Sequence, residues 1–381
     1  MDRQKLNELI EQGENATVEF KSAEVRAESV AREMVAFANT HGGTLLLGVE
    51  DSGALSGVTR EGCEEWIANI ARSNVVPALA PSTSVLEVAG KKIWVVEVSR
   101  GPHKPYQTVD GKFWIRVGST NRQATKEELS RLFQMAGLVH FDISPVESTG
   151  LSDLEPKLLD SYWRTCYQIP YLELDAEEQL RILQNADILV PLDQGWAVSI
   201  GGLLVFGKDP QRRAPQASVV FAVYRGASLT DELIDKKTVE GTLPELVERT
   251  AALVKLFLPS PSTVEGLQRK EHEAIPQKVI REALVNAVCH RDYSIVNQRI
   301  SVYLFGDRLE ITSPGRLGNT LSIEKIKVGN SAPRNMFLLR HLDNLRYIDG
   351  LGRGVPMMLK IMGPNLSLEE IGELFRVTLR Y

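Results

Sequence analysis

The sequence predicts an α+β protein of two or three domains, on three observations. At 381 residues the chain is longer than one ordinary hydrophobic core serves. Apolar stripes at helical spacing, such as Leu6-Leu9-Ile10 and Val30-Met34-Phe37, alternate with short strand-like runs at 17–21 (TVEFK), 44–49 (TLLLGV) and 91–98 (KKIWVVEV). Residues 140–154 (HFDISPVESTGLSDL) have the Ser, Pro, Gly and Asp content of a linker. The expected division is 1–140, an N-terminal α/β domain; 141–270, a linking region with helices and a β-hairpin; and 271–381, a C-terminal α/β sandwich.

Composition narrows the function classes. Hydrophobic residues at 43% and charged residues at 24% are globular values, which argues against disorder and fibres. The chain has no apolar run of membrane-spanning length, and its polar opening MDRQKLNELIEQ lacks the apolar core of a signal peptide. Cys63, Cys166 and Cys289 are odd in number and widely spaced, which argues for a reducing cytoplasm and against a disulfide framework or zinc site. A net charge of -5 argues against a wholly basic nucleic-acid coat and leaves room for a local basic patch.

In chain order, residues 2–12 read as an amphipathic helix, and GENATVEFK (13–21) follows. On the strand 17–21, Val18 and Phe20 share one face, while Glu19 and Lys21 share the opposite, wetter one. Glu14 stands just before the strand and can fold back beside them. This group reads either as a nest for Mg²⁺ or Mn²⁺, since hard cations take oxygen ligands, or as a surface strand with ordinary charges. A helix over 29–39 with Ser29 as N-cap comes next, then His41-Gly42-Gly43 and the buried strand 44–49. That strand ends in Glu50-Asp51-Ser52-Gly53, where Asp51 is either a site carboxylate or a turn-forming residue.

From 91 to 131 nine Lys/Arg face four acids, with Trp94, Tyr106, Phe113 and Trp114 interleaved. Lys91, Lys92, Lys112, Arg116 and Arg122 are the candidate phosphate-binding residues, and Gly118-Ser119-Thr120-Asn121 offers backbone N–H groups to anions. Trp94 and Phe113 read as core. Farther on, helices are expected over 154–167 and 175–184, then a hairpin-like pair 186–190 and 196–199 with a third apolar run 202–207 (GLLVFG). A strand over 217–224 and a long helix over 244–257 complete this scaffold. In the last part, 276–287 (PQKVIREALVNA) reads as a helix with Val279, Leu284 and Val288 inward and Glu282 and Asn286 one turn apart on another face. Strands follow at 299–304, 308–311 and 374–381. Gly350-Leu351-Gly352-Arg353-Gly354 is a turn whose backbone N–H groups could cradle phosphate.

Two resemblances join these motifs. GENATVEFK, FANTHGG, LLLGVEDSG and WIRVGSTNRQAT, in that order, resemble the Schlafen AlbA-type domain. In eukaryotic Schlafen proteins that domain is a metal-dependent endoribonuclease acting on tRNA and rRNA. The resemblance implies Glu14, Glu19 and Asp51 as metal-holding carboxylates with Lys21 beside them. It also implies structured RNA as the favoured partner with DNA possible, and a homo-oligomer, since the Schlafen nuclease uses two such lobes. Bacterial relatives are more often described as DNA-binding or ATP-binding regulators. REALVNAVCHRDY, LEITSPG, SAPRN and GLGRG resemble the GHKL-like C-terminal module of bacterial RecG-related proteins. That module implies an ATP site built from Glu282, Asn286, Gly350, Gly352 and Gly354. Ser313-Pro314-Gly315 departs from its pattern, which places an Asp there for the adenine amino group. No G-x-x-x-x-G-K-[ST] loop occurs in the sequence.

Overall fold

The computed structural model describes residues 2–259, 262–265, 268–271, 273–318, 321–348 and 351–381. The chain forms two compact units, Met1–Val139 and His140–Tyr381. Among the described residues no helix is long and apolar enough to cross a membrane.

The N-terminal unit is built on a four-stranded mixed sheet. Strand Val18–Lys21 runs parallel to Gly43–Leu47, which pairs antiparallel with Lys91–Val98, itself hairpinned to Ser82–Val88. The hairpin turns on Ala89 and Gly90, both at positive φ (52° and 74°), the backbone sense that matches strand twist. A parallel pair needs a crossover, and helix Ala27–Asn39 supplies it. This helix buries Val30, Met34, Phe37 and Ala38 against Leu45, Leu47, Val96 and Val98 on one sheet face. Helix Arg3–Gln12 buries Leu6 and Leu9 against Val18, Phe20, Leu46 and Val95 on the other. Both faces are therefore covered. The expected wetter face of strand 17–21 is an interior one, and Glu19 is only 6% exposed. The crossover helix also starts two residues earlier than expected. Arg26, not Ser29, is its N-cap and makes no side-chain cap bond.

The C-terminal unit contains a six-stranded sheet in the order Leu233–Val239, Val219–Tyr224, Ile300–Leu304, Arg308–Pro314, Leu374–Arg380, Leu366–Ile371. Its single parallel pair is Val219–Tyr224 with Ile300–Leu304, and the intervening chain carries helices Leu243–Phe257 and Gln277–Cys289. The sheet thus runs across residue 270. The expected linker is also docked within this unit: Asp142 accepts from the backbone N–H groups of Phe337 (2.7 Å) and Leu338 (3.2 Å), the orphan donors opening helix Met336–Asn344.

Helices Pro156–Tyr167 and Ala176–Asn185 precede the antiparallel pair Leu189–Pro191 and Trp196–Val198. The apolar run 202–207 lies in a helix, Ile200–Phe206, opened by Ser199, whose Oγ accepts from Gly202 N at 3.0 Å. Every residue from Gly201 to Phe206 is buried, so the run has no polar side to mark its period.

Candidate functional site

In the N-terminal unit strand Val18–Lys21, helix Ala27–Asn39 and strand Trp114–Val117 bring their charged residues together. Glu19 pairs with Lys21, and its Oε2 lies 2.7 Å from Arg116 Nη2. Glu33, from the helix, stands 3.2 Å from Arg116 Nη1 and 3.7 Å from Lys21 Nζ, and accepts from Asn121 Nδ2. Arg116 has no spare donor. Its Nε donates to Asn15 O, and its Nη2 donates to Asn15 O and Val18 O at 2.6 and 2.9 Å. Its guanidinium also stacks 5.0 Å from the Phe37 ring.

Two carboxylates and two cations close this cluster at zero net charge. Burial, reinforced by the charge on Glu19, raises the Glu33 pKa despite Lys21, Asn121 and Arg116. Burial alone would lower Lys21, but the bond to Glu19 and the charge on Glu33 outweigh it and leave the ammonium firmly protonated.

Of the implied metal ligands, Glu14 uses Oε1 to accept from Phe20 N at 3.0 Å, and Glu19 faces Lys21 and Arg116. Asp51 lies exposed in the turn after strand Gly43–Leu47, with no hydrogen bond or ion pair among the described residues. Among those residues no three His, Cys, Asp or Glu side chains are grouped to hold a metal ion. A hard cation needs carboxylate oxygens turned toward it, and here they face internal cations and a backbone donor. The residues as placed do not fit Mg²⁺ or Mn²⁺.

The five candidate phosphate contacts are also dispersed. Arg116 is a correction: its side chain is 1% exposed and locked inside the cluster, so no phosphate reaches it. Arg122 is exposed and forks onto Glu128 with bonds of 2.7 and 2.6 Å. Lys112 pairs with Asp110 at 2.8 Å, and Lys91 donates to the Leu55 carbonyl. Lys92 is exposed, stands across the hairpin from Glu87, and makes no ion pair among the described residues.

In the C-terminal unit a cavity of about 470 Å³ opens beside helix Gln277–Cys289. Glu282, Asn286 and His290 line it at one-turn intervals, with Gly352, Arg353 and Gly354 at the start of helix Gly354–Met362. Asn286 Nδ2 donates to Glu282 Oε1 at 2.9 Å. Gly354 packs so closely on Glu282 that a Cβ there would overlap the carboxylate. Gly350 lies outside the described residues. Sequence reading missed Arg316, Arg334 and His290, which also line the cavity. Of the three guanidiniums, Arg334 pairs with Asp292 (3.2 Å) and Arg316 with Glu373 (3.4 Å), and Ile311, Phe375 and Val377 give the cavity an apolar wall. Burial, with the Arg334 charge, pulls the His290 pKa down to about 4 and keeps the ring neutral.

Residues 14–125 match the family model described as "Schlafen, AlbA_2", and residues 297–379 match "Putative ATP-dependent DNA helicase recG C-terminal". No curated protein matches the chain. Among solved structures, the DIP2311 protein of Corynebacterium diphtheriae is 22% identical, with a TM-score of 0.49 over 99% of this chain and 80% of that one. The N-terminal domain of a RecG-related protein from Nitrosomonas europaea is 30% identical, with a TM-score of 0.26 over 32% of this chain and 92% of that domain. The two matched domain types together point to a nucleic-acid-related function. This chain therefore joins a segment similar to the Schlafen AlbA_2 family to one similar to the RecG-type C-terminal family.

Proposed function

We propose that the protein binds nucleic acid through its N-terminal unit without cutting it, and binds a nucleoside triphosphate in its C-terminal cavity. The observation that carries this reading is the convergence of Glu282, Asn286, Gly352, Arg353 and Gly354 on one cavity that also has an apolar wall. A phosphate chain suits the glycine-rich start of helix Gly354–Met362, where backbone N–H groups and the helix dipole favour negative charge. An aromatic base suits the apolar wall. Asn286, held by Glu282, orients the ligand between them.

Non-cleaving binding is supported by the closed ion cluster around Glu19, which commits that carboxylate and Arg116 to folding rather than to a scissile phosphate. Exposed Lys92, which makes no ion pair among the described residues, remains for the backbone of a nucleic acid, where contact releases counterions.

One experiment tests the nucleic-acid half. The chain is incubated with labelled tRNA or duplex DNA, with and without Mn²⁺ and ATP, and bound and cleaved fractions are read together. Salt-sensitive binding with intact nucleic acid is expected. Mn²⁺-dependent cleavage lost in Glu19→Ala would establish the nuclease instead.

A further inference from the structure

The glycine-rich start of helix Gly354–Met362, where the nucleotide reading puts the phosphate chain, already has a carboxylate against it. Glu282 reaches it from helix Gln277–Cys289. Its Oε1 accepts from Asn286 Nδ2 at 2.9 Å and is also the atom that a Cβ on Gly354 would strike first. Gly354 is helical and has no positive φ that would demand glycine. The missing side chain serves the approach of Glu282 instead.

The same turn is pressed down at Gly352, which sits at φ +69° directly against Gly329 O. Gly354 and Val355 supply the N–H groups that open the helix, because Pro356 has none and Met357 N already donates to Arg353 O at 2.9 Å. The helix dipole favours an anion at this place, and the chain brings one of its own there. A phosphate and a carboxylate do not share such a place, because like charges in contact repel strongly outside bulk water.

We propose that Glu282 is a built-in competitor for the phosphate chain: its carboxylate holds the phosphate place in the free protein and leaves it when a nucleotide binds. The inference rests on the nucleotide reading above. Displacing the carboxylate breaks the bond from Asn286 Nδ2 and frees that donor for a phosphate oxygen. Asn286 thus changes partner as the ligand enters. The affinity for nucleotide is lowered by the cost of moving the charge, and a neutral residue of the same shape removes most of that cost.

The test is calorimetric titration of the intact chain and of Glu282→Gln with ATP and with adenosine, under a chelator so that the phosphate chain keeps its full charge. The replacement keeps an oxygen for Asn286 and loses only the charge. ATP is expected to bind Glu282→Gln about tenfold tighter, while adenosine, which has no phosphate, binds both alike. Glu282→Ala, which removes the group altogether, should show the same gain and covers the case in which the first variant fails to fold. ATP binding that is unchanged or weaker in the variants, or a gain that adenosine shares, overturns the competition and leaves the nucleotide cavity standing. If ATP binds neither the intact chain nor the variants, the nucleotide reading falls and the competition falls with it.

Discussion

In the N-terminal unit two buried carboxylates, Glu19 and Glu33, meet two largely buried cations, Lys21 and Arg116, and the charges cancel. In the C-terminal unit Glu282, Arg316, Arg334 and Arg353 line an open cavity, with Arg334 paired to Asp292 and Arg316 to Glu373. Both arrangements put ionisable groups out of water at a cost. The first recovers that cost within the fold, so it reads as architecture. The second keeps a polar, half-apolar space open beside its charges, so it reads as a ligand site. The contrast shows why charged residues at motif positions do not by themselves locate chemistry: what matters is whether the fold leaves open space beside them.

The contrast can be broken most forcefully at Arg116. Arg116→Ala leaves Glu19 and Glu33 buried without their shared partner and should destabilise the N-terminal unit by about 3–5 kcal/mol, read by denaturant unfolding. An effect below about 1 kcal/mol would mean that the cluster is solvated.

Acid separates the two units next. His290 and His341 each have a folded pKa pulled down to about 4, chiefly by burial, from an ordinary value near 6.5. A depressed histidine binds its proton more weakly when folded, so stability is full above about 6.5 and is lost as pH falls toward 4. At about 1.4 kcal/mol per pKa unit, each histidine withdraws on the order of 3 kcal/mol. Glu33 acts with the opposite sign. Its raised pKa makes the N-terminal unit gain stability as pH falls through that value. Thermal unfolding between pH 7 and 4.5 should therefore show the C-terminal transition moving down more than the N-terminal one.

Asn286→Ala should weaken nucleotide binding about tenfold, the loss of one well-placed hydrogen bond, without moving the N-terminal transition. The smallest expected effect is Lys92→Glu. It should change stability by less than about 0.5 kcal/mol and lower the salt slope of nucleic-acid binding by about one if Lys92 touches a phosphate.

Much of this was legible in the chain. Period-two alternation put Glu19 and Lys21 on one face, and the i, i+4 spacing put Glu282 and Asn286 on another. Helix Ala27–Asn39 was legible from Val30, Met34 and Phe37, and it carried an unread signal: Glu33 falls on that same apolar stripe, where a charge must find partners. Arg116 was misread because its burial depends on a helix and a strand distant in sequence, which local spacing does not encode. Ile200–Phe206 was not legible as a helix because an all-buried run has no periodicity. Arg334 was invisible as a cavity residue, since its role comes from the turn at Gly315 and from Asp292 rather than from neighbours in sequence.

The most direct measurement is a titration of the intact chain with nucleoside triphosphates, repeated on Asn286→Ala. The account predicts saturable binding of one nucleotide per chain, weakened about tenfold by the substitution. No binding to the intact chain, or binding that Asn286→Ala leaves unchanged, would contradict it.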